Sequence, residues 1–326
     1  MSTAPDHGSS GLRGGRLMEL RPDGPWHGAV PYSSPADLAG LLVGPVSAAV
    51  TAGDLVMAVL DDETEQLLRT ELGDSADGVE FLLPHAVHTV PGFTTAVRWT
   101  RSVGRVTRSD GRAFIVGQQL LDLSGRGDDY WTRLCLGVEV AGAGLPLTVL
   151  CPFLDDPGEW ARVRATHSVL DAGSGRPGHN PDYRPPHEVL QELAPLVRSE
   201  LGPPSAELAF RATDLGRLRH LTSELAERGG LGPDRTADAV LAVNELASNS
   251  VEHGPGAGVL RLWVNGHSGL VAEVTDRGRL TDSFPGMVRP STSGSRGRGL
   301  WLASELCDVM EVWNDDGTVI RVSWAA

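Results

Sequence analysis

At 326 residues, 40% of them hydrophobic and 21% charged, the chain is long enough for two domains that each bury a core and has a globular, not a disordered, composition. Its formal charge of −14 argues against nucleic acid and against an anionic membrane surface as main partners. All 28 basic residues are arginine, so the lysines of Walker A loops, of eukaryotic-type kinase strands and of Schiff-base enzymes are excluded together. Any nucleotide site must handle phosphate with backbone N–H groups, arginine and a metal ion. Residues 1–207 hold 27 acids and 16 arginines, net −11, whereas residues 208–326 hold 15 and 12, net −3. Most of the acidity is therefore N-terminal.

Residues 1–15 read as a disordered tail without the apolar run of a signal peptide. The apolar stretch Leu38–Gly53 is interrupted by Pro45 and too short to span a bilayer. Cys135, Cys151 and Cys307 are far apart and suggest neither metal spacing nor a disulfide framework, so a reducing cytoplasm is expected. From residue 16 to 170, short apolar runs alternate with helical segments. Leu55–Leu60 precedes DDETEQLLRTEL and Val79–Leu83, and Ala113–Val116 and Leu147–Leu150 follow. Such alternation predicts an α/β domain with a largely parallel sheet. Any ligand of that sheet should sit at the strand C-terminal ends. His27 and His167 read as structural histidines, because neither has ligand spacing.

In the same region, His27 followed by Tyr32 and a helix, Gly53 before a strand, the pair Cys151-Pro152 and the late His167 resemble the MEDS sensory domain. That resemblance implies a recombinase-like α/β module without a working P-loop, placed before a regulatory output domain. Between 171 and 207 the composition turns to glycine, proline and polar residues, which predicts a linker with a short helix at His187–Glu200.

From 208 to 326 a second domain is predicted. Asp214 is placed to cap a helix carrying Leu215, Leu218, Leu221 and Leu225 and ending at Gly229-Gly230. Pro233 opens the next helix, which contains AVNELASNSVEHG. At a period of 3.6 its apolar stripe reads as Ala237, Val240, Leu241, Ala247 and Val251, with Asn244 inside that face. Glu245, Asn249 and His253 follow at i, i+4 steps along one flank. His253 reads either as a helix-end histidine or as part of the site. Two β-like runs, Val259–Val264 and Leu270–Thr275, flank the turn NGHSG. VTDRGRLTD, a flexible stretch over Pro285–Gly297, GRGLWLASELCDVMEV and GTVIRVSW complete the chain.

In this order the motifs resemble the ATP-binding domain of the GHKL superfamily, the Bergerat or histidine-kinase-like ATPase fold, an α/β sandwich. Within it they are similar to the anti-sigma-factor serine kinases of bacterial partner switching. The resemblance implies ATP and Mg2+ as cofactors. Asn249 matches the family's magnesium ligand, and Glu245 the general base on a substrate serine. Asp276 matches the acceptor of the adenine amino group, with Gly278 admitting the ring and Thr318 supporting the contact through water. Gly297, Arg298, Gly299 and Leu300 match the phosphate-binding helix start, to which Arg296 adds charge. Leu280 departs from the pattern, standing where the family has a glycine. The implied partners are an anti-anti-sigma protein of the STAS type, a sigma factor and a second copy of the chain. Arg219 aligns with a partner-contacting arginine and reads equally as a solvated one. Two other readings share these motifs: a nucleotide-gated binding protein without catalysis, and a histidine kinase, which would need a phosphoacceptor helix upstream.

Overall fold

The computed structural model describes residues 26–106, 111–120, 123, 127–171, 178–264, 266–290, 298–314 and 316–326. Two compact units divide between Leu193 and Ala194. The expected tail at 1–15 lies outside the described residues.

The first unit is built on a seven-stranded sheet, ordered β3-β2-β4-β5-β1-β6-β7. Its strands are β1 (Trp26–Tyr32), β2 (Leu55–Val59), β3 (Val79–Leu82), β4 (Ala113–Gly117), β5 (Leu147–Leu154), β6 (Val169–Leu170) and β7 (Gly178–His179). All neighbouring pairs are parallel except β6 with β7. Strands buried on both faces need helices on both faces, and the continuous apolar runs already indicated this. On one face α1 (Pro35–Ala52) and α2 (Asp62–Leu72) pack onto Val30, Val56, Ala58, Phe114, Val116 and Leu150. Helices α3 (Gly92–Ser102), α4 (Asp128–Ala141) and α5 (Pro157–Thr166) complete the alternation. Local chemistry sets the ends: Ser34 Oγ accepts from the Asp37 N–H at 3.2 Å, Asp61 Oδ1 from the Thr64 N–H at 2.8 Å, and Gly53 closes α1 at a φ of 74°.

Helix α1 runs through Pro45, where an interruption was expected. Among the described residues it is the one helix long and apolar enough to cross a membrane, at a mean hydropathy of 1.3. Leu38, Leu41, Leu42, Val46 and Ala49 are buried within the first unit, as in a core helix.

The second unit has a five-stranded antiparallel sheet, ordered β11-β12-β10-β9-β8. Its strands are β8 (Ala206–Arg211), β9 (Ala257–Val264), β10 (Leu270–Asp276), β11 (Val309–Trp313) and β12 (Thr318–Trp324). One face is apolar: Leu208, Leu260, Leu262, Ala272, Val274, Ile320, Val322 and Trp324 share a core with α7 (Leu215–Arg228), α8 (Pro233–Glu252) and α9 (Arg298–Leu306). The opposite face carries one row of charges across all five strands. Glu207 pairs with Arg261, Arg261 with Glu273, Glu273 with Arg321, and Arg321 with Glu311. Opposite charges directly across a ladder stabilise it, and this row alternates without a break. Glu273 at its centre has no exposed surface and accepts from Arg321 Nη2 at 2.9 Å.

The stretch expected as a linker, 171–207, is divided between the two units. Asn180 Nδ2 donates to the backbone oxygens of Arg164 and His167 at 2.7 and 2.8 Å, and α6 is Pro186–Glu192, shorter than the helix expected there. Residues 194–205 lie over the charged row: Leu196 O accepts from Trp313 Nε1 at 3.0 Å, Ser199 Oγ from Arg321 Nη1 at 2.9 Å, and Arg198 pairs with Glu273. A proline-rich composition concealed these anchors, which are polar contacts to strands more than 70 residues away.

Candidate active site

Helix α8 sets the site. Its buried face is Thr236, Ala239, Ala242, Val243, Leu246, Ala247 and Ser250, so the stripe expected from the sequence is only partly in phase: Ala247 is buried and Val251 packs on the core, but Leu241 is 41% exposed and Ala237 is exposed. Small and hydroxylated residues occupy the core side because their polar atoms are satisfied locally. Thr236 Oγ1 donates to Leu231 O at 3.3 Å, and Thr222 Oγ1 of α7 likewise donates to Leu218 O at 2.9 Å. Asn244 is consequently not inside the apolar face. Its Oδ1 accepts from Nη1 of the exposed Arg219 at 2.9 Å, tying α8 to α7.

With the helix in this phase, Glu245 and Asn249 are half-buried at the margin of the core face. The first turn of α9 comes down on both. A Cβ at Gly299 would lie 2.9 Å from Asn249 Nδ2 and 3.0 Å from Glu245 Oε2, so a larger residue there would have to displace the carboxamide and the carboxylate. Arg298 is exposed at the helix start and Leu300 packs against the core. Gly297 and Arg296 lie outside the described residues. His253 caps α8, its N–H donating to Asn249 O at 2.9 Å, and is itself exposed.

Asp276 ends β10, and both of its carboxylate oxygens are held. Oδ2 accepts from Ser250 Oγ at 2.5 Å and Oδ1 from the Gly278 N–H at 2.6 Å. Each oxygen keeps a further lone pair for an external donor. Gly317 approaches so closely, at a φ of 147°, that a Cβ there would lie 2.2 Å from Asp276 O. Thr318 stands opposite Asp276 in the β10–β12 register and is buried, its Oγ1 3.5 Å from Asn314 Oδ1.

Leu280 is fixed from both sides of its peptide. Its N–H donates to Asn314 Oδ1 at 3.2 Å and its carbonyl accepts from Asn314 Nδ2 at 3.0 Å, while the side chain packs on the core. Beyond it, Phe284 and Met287 are buried and Gly286 O accepts from Ser304 Oγ at 2.7 Å. Of the stretch expected to be flexible, the described part is packed at Gly286 and Met287 and exposed at Val288 and Arg289. Ser250 and Asn314 are site residues that sequence reasoning missed. Ser250 lay one residue past Asn249 and looked like an ordinary helix serine, whereas Asn314 carried only the signal of a polar residue before a turn.

These groups suit a magnesium nucleotide. Three glycines leave backbone open around Asp276, Glu245 and Asn249, and a single neutral oxygen ligand is appropriate for Mg2+, which retains waters and phosphate oxygens. Residues 208–324 match the family model of the histidine kinase-like ATPase domain, and with it ATP binding. Among curated proteins, none matches the chain.

Proposed function

We propose that the chain is an ATP-dependent regulatory serine kinase and anti-sigma factor, its C-terminal unit phosphorylating an anti-anti-sigma partner of the STAS type and alternately holding a sigma factor. The observation that carries this reading is the placement of Glu245 Oε2 and the Asn249 carboxamide against Gly299, at the start of the helix that would face the phosphates. Asn249 Oδ1 would hold Mg2+, which when bound would neutralise charge on the phosphates of ATP. Glu245 takes the proton of the incoming serine hydroxyl on its carboxylate. Asp276 orients the adenine amino group, with Thr318 supporting it from β12. Arg298 supplies charge where other kinases use lysine. The resemblance of the N-terminal unit to MEDS domains supports a signal-sensing role for it, and the family likeness a homodimer of the C-terminal units.

A second reading, nucleotide-gated binding without transfer, draws on the Asn314 clamp at Leu280, which fixes the backbone where the family has a freely rotating glycine. The histidine-kinase reading loses ground. Among the described residues between 171 and 207 the one helix is α6, seven residues long, too short for a two-helix phosphoacceptor segment. The test is to incubate the full chain with ATP, Mg2+ and its cognate partner, and to map the phosphate. Phosphoserine on the partner, lost in Glu245→Ala while ATP still binds, supports the kinase. Equal partner regulation by wild type and Glu245→Ala, with no phosphoserine, establishes the binding-only reading instead.

A further inference from the structure

Far from α8 in sequence, the first unit brings together side chains that its primary structure scatters. His27 comes from β1, Cys135 from α4, Cys151 from β5, and His167 from the residue after α5. All four are buried, none more than 4% exposed, and their ligand atoms all lie within 4.8 Å of one another. His27 Nε2 is 3.3 Å from Cys151 Sγ, and His167 Nε2 is 3.6 Å from Cys135 Sγ.

Both imidazoles are already turned for ligation. His27 Nδ1 faces Glu139 Oε1 at 3.2 Å, and His167 Nδ1 faces the Val163 carbonyl oxygen at 3.1 Å. A carboxylate and a carbonyl can only accept, so each Nδ1 carries a proton and each Nε2 is the nitrogen turned toward the sulfurs. A carboxylate or carbonyl behind the distal nitrogen is how proteins orient metal-binding histidines. Gln119 Nε2 donates to Cys135 Sγ at 3.4 Å, a bond that favours a thiolate. Gln119 is held in turn by Arg162 Nη2 at 2.6 Å. Zinc bound through two sulfurs at about 2.3 Å and two nitrogens at about 2.0–2.1 Å sets tetrahedron edges of about 3.3–3.8 Å. The two sulfur-to-nitrogen separations, 3.3 and 3.6 Å, already fall in that range.

We propose that His27, Cys135, Cys151 and His167 form a tetrahedral Cys2His2 site for a zinc ion within the first unit. Two thiolates and two imidazoles are a ligand set for zinc, not for magnesium or calcium, whose ligands are oxygens. Binding releases the two thiol protons to the buffer and leaves the site electrically neutral. Four protein ligands close the coordination sphere, so the ion is a structural one, joining β1 and β5 to the two helical elements beside them. Its route inward is a cavity of about 500 Å³ lined by His27, Glu139 and Ser168.

The full chain, expressed with zinc and purified under reducing conditions without chelator, should carry one zinc per molecule by elemental analysis. Exchange for cobalt(II) should give the visible bands of a tetrahedral ion together with a thiolate-to-metal charge-transfer band. Cys135→Ser, Cys151→Ser and His27→Asn should each lose the metal, whereas Cys307→Ser, altering the buried thiol of the other unit, should keep it. Zinc should also raise the thermal midpoint of the wild type, and a chelator should lower it. Should a cluster variant fail to fold, the cobalt spectrum of the wild type still reads the ligand set. The proposal is overturned if folded wild type neither carries zinc nor gives the cobalt spectrum, if a folded cluster variant retains full metal, or if Cys135 and Cys151 prove to be disulfide-bonded in the native, metal-free protein.

Discussion

Ser250 Oγ donates to Asp276 Oδ2 at 2.5 Å, so the helix that carries Glu245 and Asn249 also steadies the carboxylate at the other end of the site. Asp276→Asn replaces one acceptor oxygen with a donor and should cost ATP affinity about 1–3 kcal/mol, the penalty for an unmatched buried polar contact. Calorimetry should also show Ser250→Ala weakening ATP less, since it frees the acceptor without removing it. Equal losses would mean that Ser250 itself touches the nucleotide.

Gly299→Ala should separate stability from binding. Alanine in a helix gains about 0.5–1 kcal/mol over glycine, so the thermal midpoint should hold or rise. The added Cβ would meanwhile lie 2.9 Å from Asn249 Nδ2 and displace it, so Mg2+-dependent ATP binding should fall. Unchanged binding would show that α9 does not close on Asn249 in the nucleotide complex.

Removing Glu273 should be severe. Its carboxylate is fully buried between Arg321 and Arg198, and a buried ion pair deprived of one member costs about 3–5 kcal/mol because the remaining charge is stranded. Denaturant unfolding of Glu273→Ala should show a loss of that order in the C-terminal unit. A loss of under about 1 kcal/mol, the worth of an exposed pair, would mean that water reaches the arginines.

Glu311, at the end of the same charged row, gives a pH signature. Burial pushes its carboxyl above the ordinary value of 4.5, a rise that the Arg321 charge only partly offsets. A raised value in the folded state means that the neutral form is favoured there. Its contribution is complete below 4.5 and is lost as pH climbs through the folded value. Glu311→Gln should therefore raise the thermal midpoint near neutral pH and leave it unchanged in acid. The opposite trend would indicate that the Arg321 pairing outweighs burial.

Element types were legible wherever one signal dominated. Apolar runs gave β2, β4 and β5, and Asp214, Gly229 and Pro233 marked helix ends near where they fall. The spacing of Glu245 and Asn249 pointed to the flank they share. The phase of α8 was only partly legible, because its core side uses Thr236, Ala239 and Ser250, which a hydrophobicity count passes over. Asp214 shows the same limit, since its carboxylate accepts from the Arg211 N–H at 2.9 Å instead of capping the helix that follows. Least visible was the His27, Cys135, Cys151 and His167 cluster. Sequence spacing detects ligands that share a turn or a hairpin, whereas these come from separate elements, His27 and Cys151 being 124 residues apart.

The charged row across β8 to β11 has a bearing on where the C-terminal unit can be cut. The family match begins at residue 208, whereas the compact unit begins at Ala194. Arg198 and Ser199, which answer Glu273 and Arg321, fall in the interval, as do the first two residues of β8. A fragment trimmed to the family limits would open a buried carboxylate and guanidinium to solvent on a sheet face evolved to be covered. The natural seam of this chain lies upstream of its ATPase homology, and residues 194–207 belong to the C-terminal unit.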